Sequence, residues 1–318
     1  MTIPRPPYLE EFAPLMSAIQ DEPRLTPETI ISGREPSFAP PIDVVLDGHD
    51  IVYEDRVIPG PAGAPDLTVG ILRRRDHVAG GPGIYNIHGG GMIRGGRYDG
   101  AELLVDWIET MDAIAVTVEY RLAPENPDPA PVDDCYAGLT WMAEHADELG
   151  FDPARLAIMG GSAGGGLAAG VTLMARDLGG PALAASVLIY PMIDDRNDTV
   201  SSAQFDGIGI WDRGSNDIGW DALLGDRRHG DDVSIYAVPA RAKDLSNLPP
   251  TYIDVGSAEV FRDEDVAYAS GIWAAGGVCE LHVWPGAFHG ADLFAPQATQ
   301  SVVRREVRFN WLRRVLEA

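Results

Sequence analysis

The stretch LAIMGGSAGGGLAAG, from Leu156 to Gly170, supports two incompatible chemistries. Gly160-Gly161-Ser162-Ala163-Gly164 fits G-x-S-x-G, the turn that presents a nucleophilic serine. Gly164-Gly165-Gly166-Leu167-Ala168-Ala169 fits G-x-G-x-x-G/A, the phosphate cradle of dinucleotide-binding proteins. A cradle needs its glycines in the strand–helix turn and an acidic residue about 20 positions on. Here the triplet begins beyond the turn, inside the helix, and Asp194 lies too far downstream. The nucleophile reading needs only small residues around a strained serine between a strand and a helix. Gly160, Gly161, Gly164 and the run that follows supply them.

A nucleophilic serine needs partners. Upstream, His88-Gly89-Gly90-Gly91 directly follows an apolar run. Bare glycine amides can approach a developing oxyanion without side-chain clash. The amides of Gly89 and Gly90, with that of Ala163, make a candidate three-donor hole. His88 reads as a brace for that loop, and Gly91 as part of the same motif. The base should be a histidine after the last strand, since the chain order is serine, acid, histidine. His289, in WPGAFHGAD, stands there. His282 sits inside a strand pattern, and His49, His77, His145 and His229 lie in polar or helical contexts. The acid should follow the preceding strand, in YIDVGSAEVFRDED. Glu259, in the loop, is favoured over Asp254, which lies within the strand pattern, and over Asp263, which reads as a helix N-cap.

Such a site must be carried by a particular scaffold. Continuously apolar runs at about 83–87, 113–118, 156–159, 186–190, 251–255 and 281–284 alternate with helical segments at 102–111, 131–148, 164–178, 263–275 and 299–316. That alternation predicts a parallel sheet buried on both faces with right-handed crossovers. Two earlier runs, 51–58 and 67–73, flank a Pro/Gly-rich turn and predict an antiparallel pair. The interval from about 194 to 249 breaks the alternation and reads as an insertion over one end of the sheet.

The 318 residues carry 24 Lys and Arg against 48 Asp and Glu, a formal net charge of -24. Such a surface repels phosphate backbones and anionic lipid, which excludes nucleic acid and a membrane surface as expected partners. Neither an apolar N-terminal leader nor a run of about 18 apolar residues is evident, so the chain reads as cytoplasmic. Cys135 and Cys279 read as buried free thiols of a reducing compartment.

With those residues in place, the chain from about residue 80 onward resembles the hormone-sensitive-lipase family of α/β-hydrolases, the bacterial family IV carboxylesterases. His88–Gly91 matches the family's HGGG, and EYRLAPENPDPAPVDDC, Glu119 to Cys135, follows its DYRLAPEHPFPAAVEDC block. Gly160–Gly165 matches its GDSAGG elbow, and Phe288–Gly290 its histidine loop. Two departures stand out. Gly161 replaces the usual acidic residue before the serine, and Glu259 occupies the place of the catalytic Asp in a block similar to D-P-L-R-D-E.

The resemblance implies an α/β-hydrolase fold, with an eight-stranded, mostly parallel sheet flanked by helices. It implies a catalytic domain over 46–318, with a helical cap formed by residues 1–45 and an insertion at about 195–235. It implies a small-molecule ester as substrate, no metal and no organic cofactor. Homodimers are common among such proteins. The same triad could serve an amidase, a lactonase or a deacetylase. Non-catalytic receptors of this fold have the histidine replaced, whereas His289 is present here.

Overall fold

Aliphatic and β-branched runs fit a pleated, buried surface, and eight of them form strands. The computed structural model describes residues 3–19, 24–34 and 40–317. Its strands are β1 (Ile51–Ile58), β2 (Leu67–Arg74), β3 (Gly81–Ile87), β4 (Ile114–Glu119), β5 (Phe151–Gly161), β6 (Ala185–Ile189), β7 (Thr251–Gly256) and β8 (Cys279–Trp284). One sheet holds them in the order β1-β2-β4-β3-β5-β6-β7-β8. β2 runs antiparallel to both β1 and β4, and every other neighbour pair is parallel. This is the mostly parallel, eight-stranded sheet that the family resemblance implies, and it contains the parallel core and the antiparallel pair that the sequence pattern predicts.

Burial follows position in the sheet. β3, β6 and β7 are buried at every residue, whereas the edge strands β1 and β8 are partly exposed. β5 starts earlier than its apolar run. Its first two residues, Phe151 and Asp152, pair with Gly81 and Pro82 at the start of β3, ahead of a register shift at Pro82/Gly83.

The helices are α1 (Ala13–Ala18), α2 (Ile42–Val45), α3 (Val105–Met111), α4 (Ala130–Glu144), α5 (Ala146–Leu149), α6 (Ala163–Leu178), α7 (Val200–Gln204), α8 (Arg213–Leu224), α9 (Arg262–Ala274), α10 (Ala291–Phe294) and α11 (Thr299–Leu316). The single helix expected over 131–148 breaks at His145, whose amide is shared between Trp141 and Met142 carbonyls. The helix expected from 102 begins as a 3-10 turn, and its α-helical part starts at Val105.

The segment between β6 and β7 carries α7 and α8. The N-terminal stretch meets it directly: the Arg24 guanidinium donates to the carbonyls of Gly209 at 2.8 Å and Gly207 at 2.7 Å. Phe12 and Met16 form a small separate core with Ala287, Phe288 and Ala291, beside the loop after β8. Residues 20–23 and 35–39 of the expected N-terminal cap part lie outside the described residues.

Candidate active site

Ser162 is the hinge between β5 and α6. Its backbone has φ 57° and ψ -123°, a conformation that costs a non-glycine residue roughly 1–3 kcal/mol. Main-chain bonds hold it there. The Ser162 amide donates to the Ile189 carbonyl at 2.9 Å, and its own carbonyl accepts from Met192 at 2.9 Å and Gly166 at 3.0 Å. The surrounding glycines are needed for closeness. A Cβ at Gly160 would lie 2.2 Å from the Gly164 carbonyl oxygen, and one at Gly164 2.1 Å from that of Ile87. The helix therefore starts against the strands as no side-chain-bearing residue would allow. Gly161 differs: the nearest atoms to a Cβ there would be those of Tyr190, at 3.6 and 3.9 Å, and Ile189 Cβ at 4.0 Å, all ordinary contact. The Gly164–Ala169 match to a phosphate cradle is a by-product of this packing, since Gly164, Gly165 and Gly166 all lie within α6.

The HGGG loop leaves β3 beside the serine. A Cβ at Gly89 would lie 2.9 Å from the Gly161 oxygen and 3.4 Å from the Ser162 Cβ, so this loop must be glycine to come so near. Among the described residues, the amides of Gly89, Gly90 and Ala163 donate to no protein acceptor. Gly91 backs onto the indole of Trp211, 2.2 Å from where a Cβ would stand. His88 lies beneath. Its Nδ1–H donates to the Gly89 carbonyl at 2.8 Å, and its ring stacks on Tyr120 with centroids 4.1 Å apart. Burial lowers its pKa, which keeps it neutral. The Tyr120 hydroxyl donates to the His88 carbonyl at 3.1 Å, so the Glu119–Cys135 block braces the loop.

The candidate acid and base, Glu259 and His289, lie in the loops after β7 and β8. Glu259 Oε2 accepts from His289 Nδ1–H at 2.6 Å, and Ser162 Oγ–H donates to His289 Nε2 at 3.0 Å. The Glu259 side chain is fully buried, and its other oxygen accepts from the Gly256 amide at 2.6 Å. The two loops are stitched together by Ala258 N–H to Ala287 at 3.0 Å and Ser257 N–H to Trp284 at 2.8 Å. Glu259 thus reaches the imidazole despite its extra methylene, because the loop pins its carboxylate at both oxygens. The arrangement can remove a proton from a hydroxyl, hold the resulting imidazolium, and present backbone N–H groups to an oxyanion.

The other candidates lie elsewhere. Asp254 is fully buried and accepts from Arg308 at 2.9 Å. Asp263 is not the N-cap expected of it, since α9 begins at Arg262 with Phe261 before it. Instead it ties α9 to α7: its carboxylate accepts from the Ser201 amide at 2.8 Å, and its own amide donates to the Ser201 hydroxyl at 3.2 Å. His282 pairs with Glu280 at 2.9 Å. His49 and His229 are exposed, and His77 and His145 half-buried. Both cysteines are free, but Cys279 is only partly buried, because β8 is an edge strand. Among the described residues, no group of His, Cys, Asp and Glu is arranged to hold a metal ion, and no helix is long and apolar enough to cross a membrane.

Sequence reasoning missed the side chains behind His289. The Tyr190 ring packs edge-on against the imidazole, with centroids 4.8 Å apart. Its hydroxyl donates to Asp292 at 3.0 Å, and Asp292 also accepts from Arg308 at 3.0 Å. Burial opposes the Asp292 carboxylate, but Arg304 and Arg308 outweigh that and hold it down at about 2. Tyr190, Asp254, Asp292, Arg304 and Arg308 are scattered over four segments, so no local motif announces them. The one available signal was arginine at i and i+4 on a helix that packs against a sheet.

A family model described as the α/β hydrolase fold matches residues 84–293. Carboxylesterase NlhH of Mycobacterium tuberculosis is 38% identical over 267 residues, covering 80% of this chain and 81% of that protein. A solved bacterial heroin esterase superposes with a TM-score of 0.91 at 35% identity, over 98% of both chains. The esterase LipW of Mycobacterium marinum gives a TM-score of 0.88 at 31% identity, over 99% of both.

Proposed function

The chain belongs to the α/β-hydrolase fold family, and from that premise we infer that it is a serine carboxylesterase of the hormone-sensitive-lipase-like, bacterial family IV group. The observation that carries the reading is the hydrogen-bonded line Glu259–His289–Ser162, with distances of 2.6 Å and 3.0 Å. His289 takes the Ser162 proton as Oγ attacks the ester carbonyl. The carbonyl oxygen gains the negative charge, and the Gly89, Gly90 and Ala163 amides receive it. His289 then gives its proton to the leaving alcohol as the C–O bond breaks. Water, deprotonated by the same imidazole, attacks the acyl-enzyme and releases the acid. Glu259 keeps the imidazole in the tautomer this requires.

In this reading the described residues within 1–45 and those at about 195–235 form the cap. Trp211 lies against Gly91 and is held by a hydrogen bond to Asn216 at 3.3 Å. An indole fixed so close to the oxyanion loop favours short- to medium-chain esters of small alcohols or phenols.

The test is turnover of p-nitrophenyl acetate and butyrate. Ser162→Ala is expected to lower kcat by about 10⁶ while the protein stays folded. Glu259→Gln is expected to lose roughly 10³–10⁴, and Asp263→Asn far less. Undiminished turnover by Ser162→Ala sinks the reading, and a reversed ranking of the two acids moves the acid to Asp263.

A further inference from the structure

We propose that Tyr190 is a positioning residue for His289: its ring sets the angle of the imidazole, and its hydroxyl, tied through Asp292 to Arg308, keeps the ring in place. The proposal rests on the assignment of His289 as the base.

Four observations carry it. First, Tyr190 stands in the space that the small residue at 161 leaves beneath the elbow. The nearest atoms to a Cβ at Gly161 are Tyr190 Cε2 at 3.6 Å and its hydroxyl oxygen at 3.9 Å. Second, the ring contacts the imidazole at an interplanar angle of 70°, in addition to the hydrogen bonds that its two nitrogens make with Glu259 and Ser162. Phe261 makes a similar contact, with centroids 5.1 Å apart and rings at 78°. The imidazole thus packs against two aromatic rings as well as lying along a hydrogen-bonded line. Third, the backbone of Tyr190 is strained, with φ 38°. Its amide donates to the Asp254 carbonyl at 2.6 Å, and the neighbouring Ile189 carbonyl receives the Ser162 amide. Such a conformation persists where the surroundings over-determine it. Fourth, the hydroxyl is not left to rotate. Asp292 Oδ1 accepts from it, and Asp292 Oδ2 is held by Arg308, which also holds Asp254. Asp292 lies three residues after His289, so the same anchor fixes the loop that carries the base.

The chemistry explains why an angle matters. Proton transfer needs Nε2 aligned first with Ser162 Oγ and then with the leaving oxygen. Two hydrogen bonds fix the line from Glu259 to Ser162 but leave the ring free to rock about it. An edge-to-face aromatic neighbour removes that freedom. Misplacement by a fraction of an ångström lowers the rate of the chemical steps without changing ground-state binding of ester.

The experiment compares Tyr190→Phe and Tyr190→Leu with the wild-type chain, measuring kcat and KM separately on p-nitrophenyl butyrate, well below each variant's Tm. Tyr190→Phe cuts the anchor but keeps the ring, and is expected to lower kcat about threefold with KM unchanged. Tyr190→Leu removes the ring, and is expected to lower kcat at least about tenfold, again with KM within about twofold. Restoration of most of the lost kcat by the aromatic variant is the mark of positioning. Wild-type kcat in both variants overturns the proposal, as does a loss confined to KM, which would make Tyr190 a substrate contact instead. If Tyr190→Leu does not fold, an unchanged kcat in Tyr190→Phe overturns the anchor, and a threefold loss at constant KM supports it. Ser162→Ala runs alongside. Turnover surviving there would defeat the assignment of the triad, a result distinct from failure at Tyr190.

Discussion

The two flanks of Ser162 are made of different materials. On the flank proposed to hold the oxyanion, the assigned groups are backbone: the Gly89, Gly90 and Ala163 amides, with glycines packed too closely for a Cβ. On the histidine side, everything is side chain. Glu259, His289, Tyr190 and Asp292 arrive from separate segments, and α11 adds Arg304 and Arg308. The first flank is specified by what is missing, the second by charges that must balance. Asp254 and Asp292 face Arg304 and Arg308 in an interior where all four side chains are at most 1% exposed.

The largest expected effect breaks that balance. Arg308→Met removes the cation that donates to Asp254 at 2.9 Å and to Asp292 at 3.0 Å. Arg304, at 3.7 Å from Asp254, is too distant to replace both bonds. Stranding a buried charge in this way costs about 3–5 kcal/mol. Urea unfolding should therefore show a midpoint well below that of the wild-type chain. A change under about 1 kcal/mol would mean that the cluster is not carried by its ion pairs.

The difference between the flanks also explains what could be read from the sequence. A flank made of backbone leaves its record locally, as glycines in a row after an apolar strand. His88–Gly91 and Gly160–Gly164 were therefore legible, as were the strands that present them. Glu259 and His289 were legible because each follows its own strand in a fixed order. Tyr190 reads in isolation as an ordinary core tyrosine, and Arg304 and Arg308 as the polar face of a terminal helix. What joins them is the long-range order of β6, β7 and α11, which no local pattern contains. Asp263 was misread for a related reason: its partner, Ser201, lies far away in sequence on α7.

A second, smaller effect sharpens the contrast just behind Glu259, where the charges do not balance. Asp265 is fully buried, and neither of its carboxylate oxygens has a hydrogen-bond partner among the described residues. Burial raises its pKa well above the ordinary range, and the nearby Glu264, Glu259 and Asp254 carboxylates raise it further. At pH below about 4 the folded and unfolded chains both hold the proton, and the site has no pH-dependent cost. Above that range the unfolded chain releases the proton while the fold retains it, so stability falls as pH rises. Asp265→Asn removes this slope. Its Tm should exceed that of the wild-type chain at pH 8, and the gain should shrink toward zero near pH 4. A difference independent of pH would assign the gain to packing instead.

The smallest effect is expected at Gly161, where the two flanks meet and two adjacent glycines have opposite surroundings. At Gly160 a Cβ would sit 2.2 Å from the Gly164 oxygen and 2.9 Å from the Gly165 nitrogen, both main-chain atoms that cannot yield. At Gly161 the nearest atoms would be the Tyr190 ring at 3.6 Å and Ile189 Cβ at 4.0 Å, which is ordinary contact. Gly161 is glycine without steric need, consistent with the acidic residue that the wider family carries there. Gly161→Ala should therefore leave stability within about 0.5 kcal/mol and kcat within about twofold. Gly160→Ala, one residue earlier, should lose both folding yield and activity, because the helix could no longer start against the strand. The pair is read from thermal melts and turnover of one ester. Equal damage at both positions would mean that the elbow demands glycine for backbone freedom throughout. Damage at Gly160 alone would mean that close approach is the requirement, and that the space under the elbow is open to any side chain Tyr190 can accommodate.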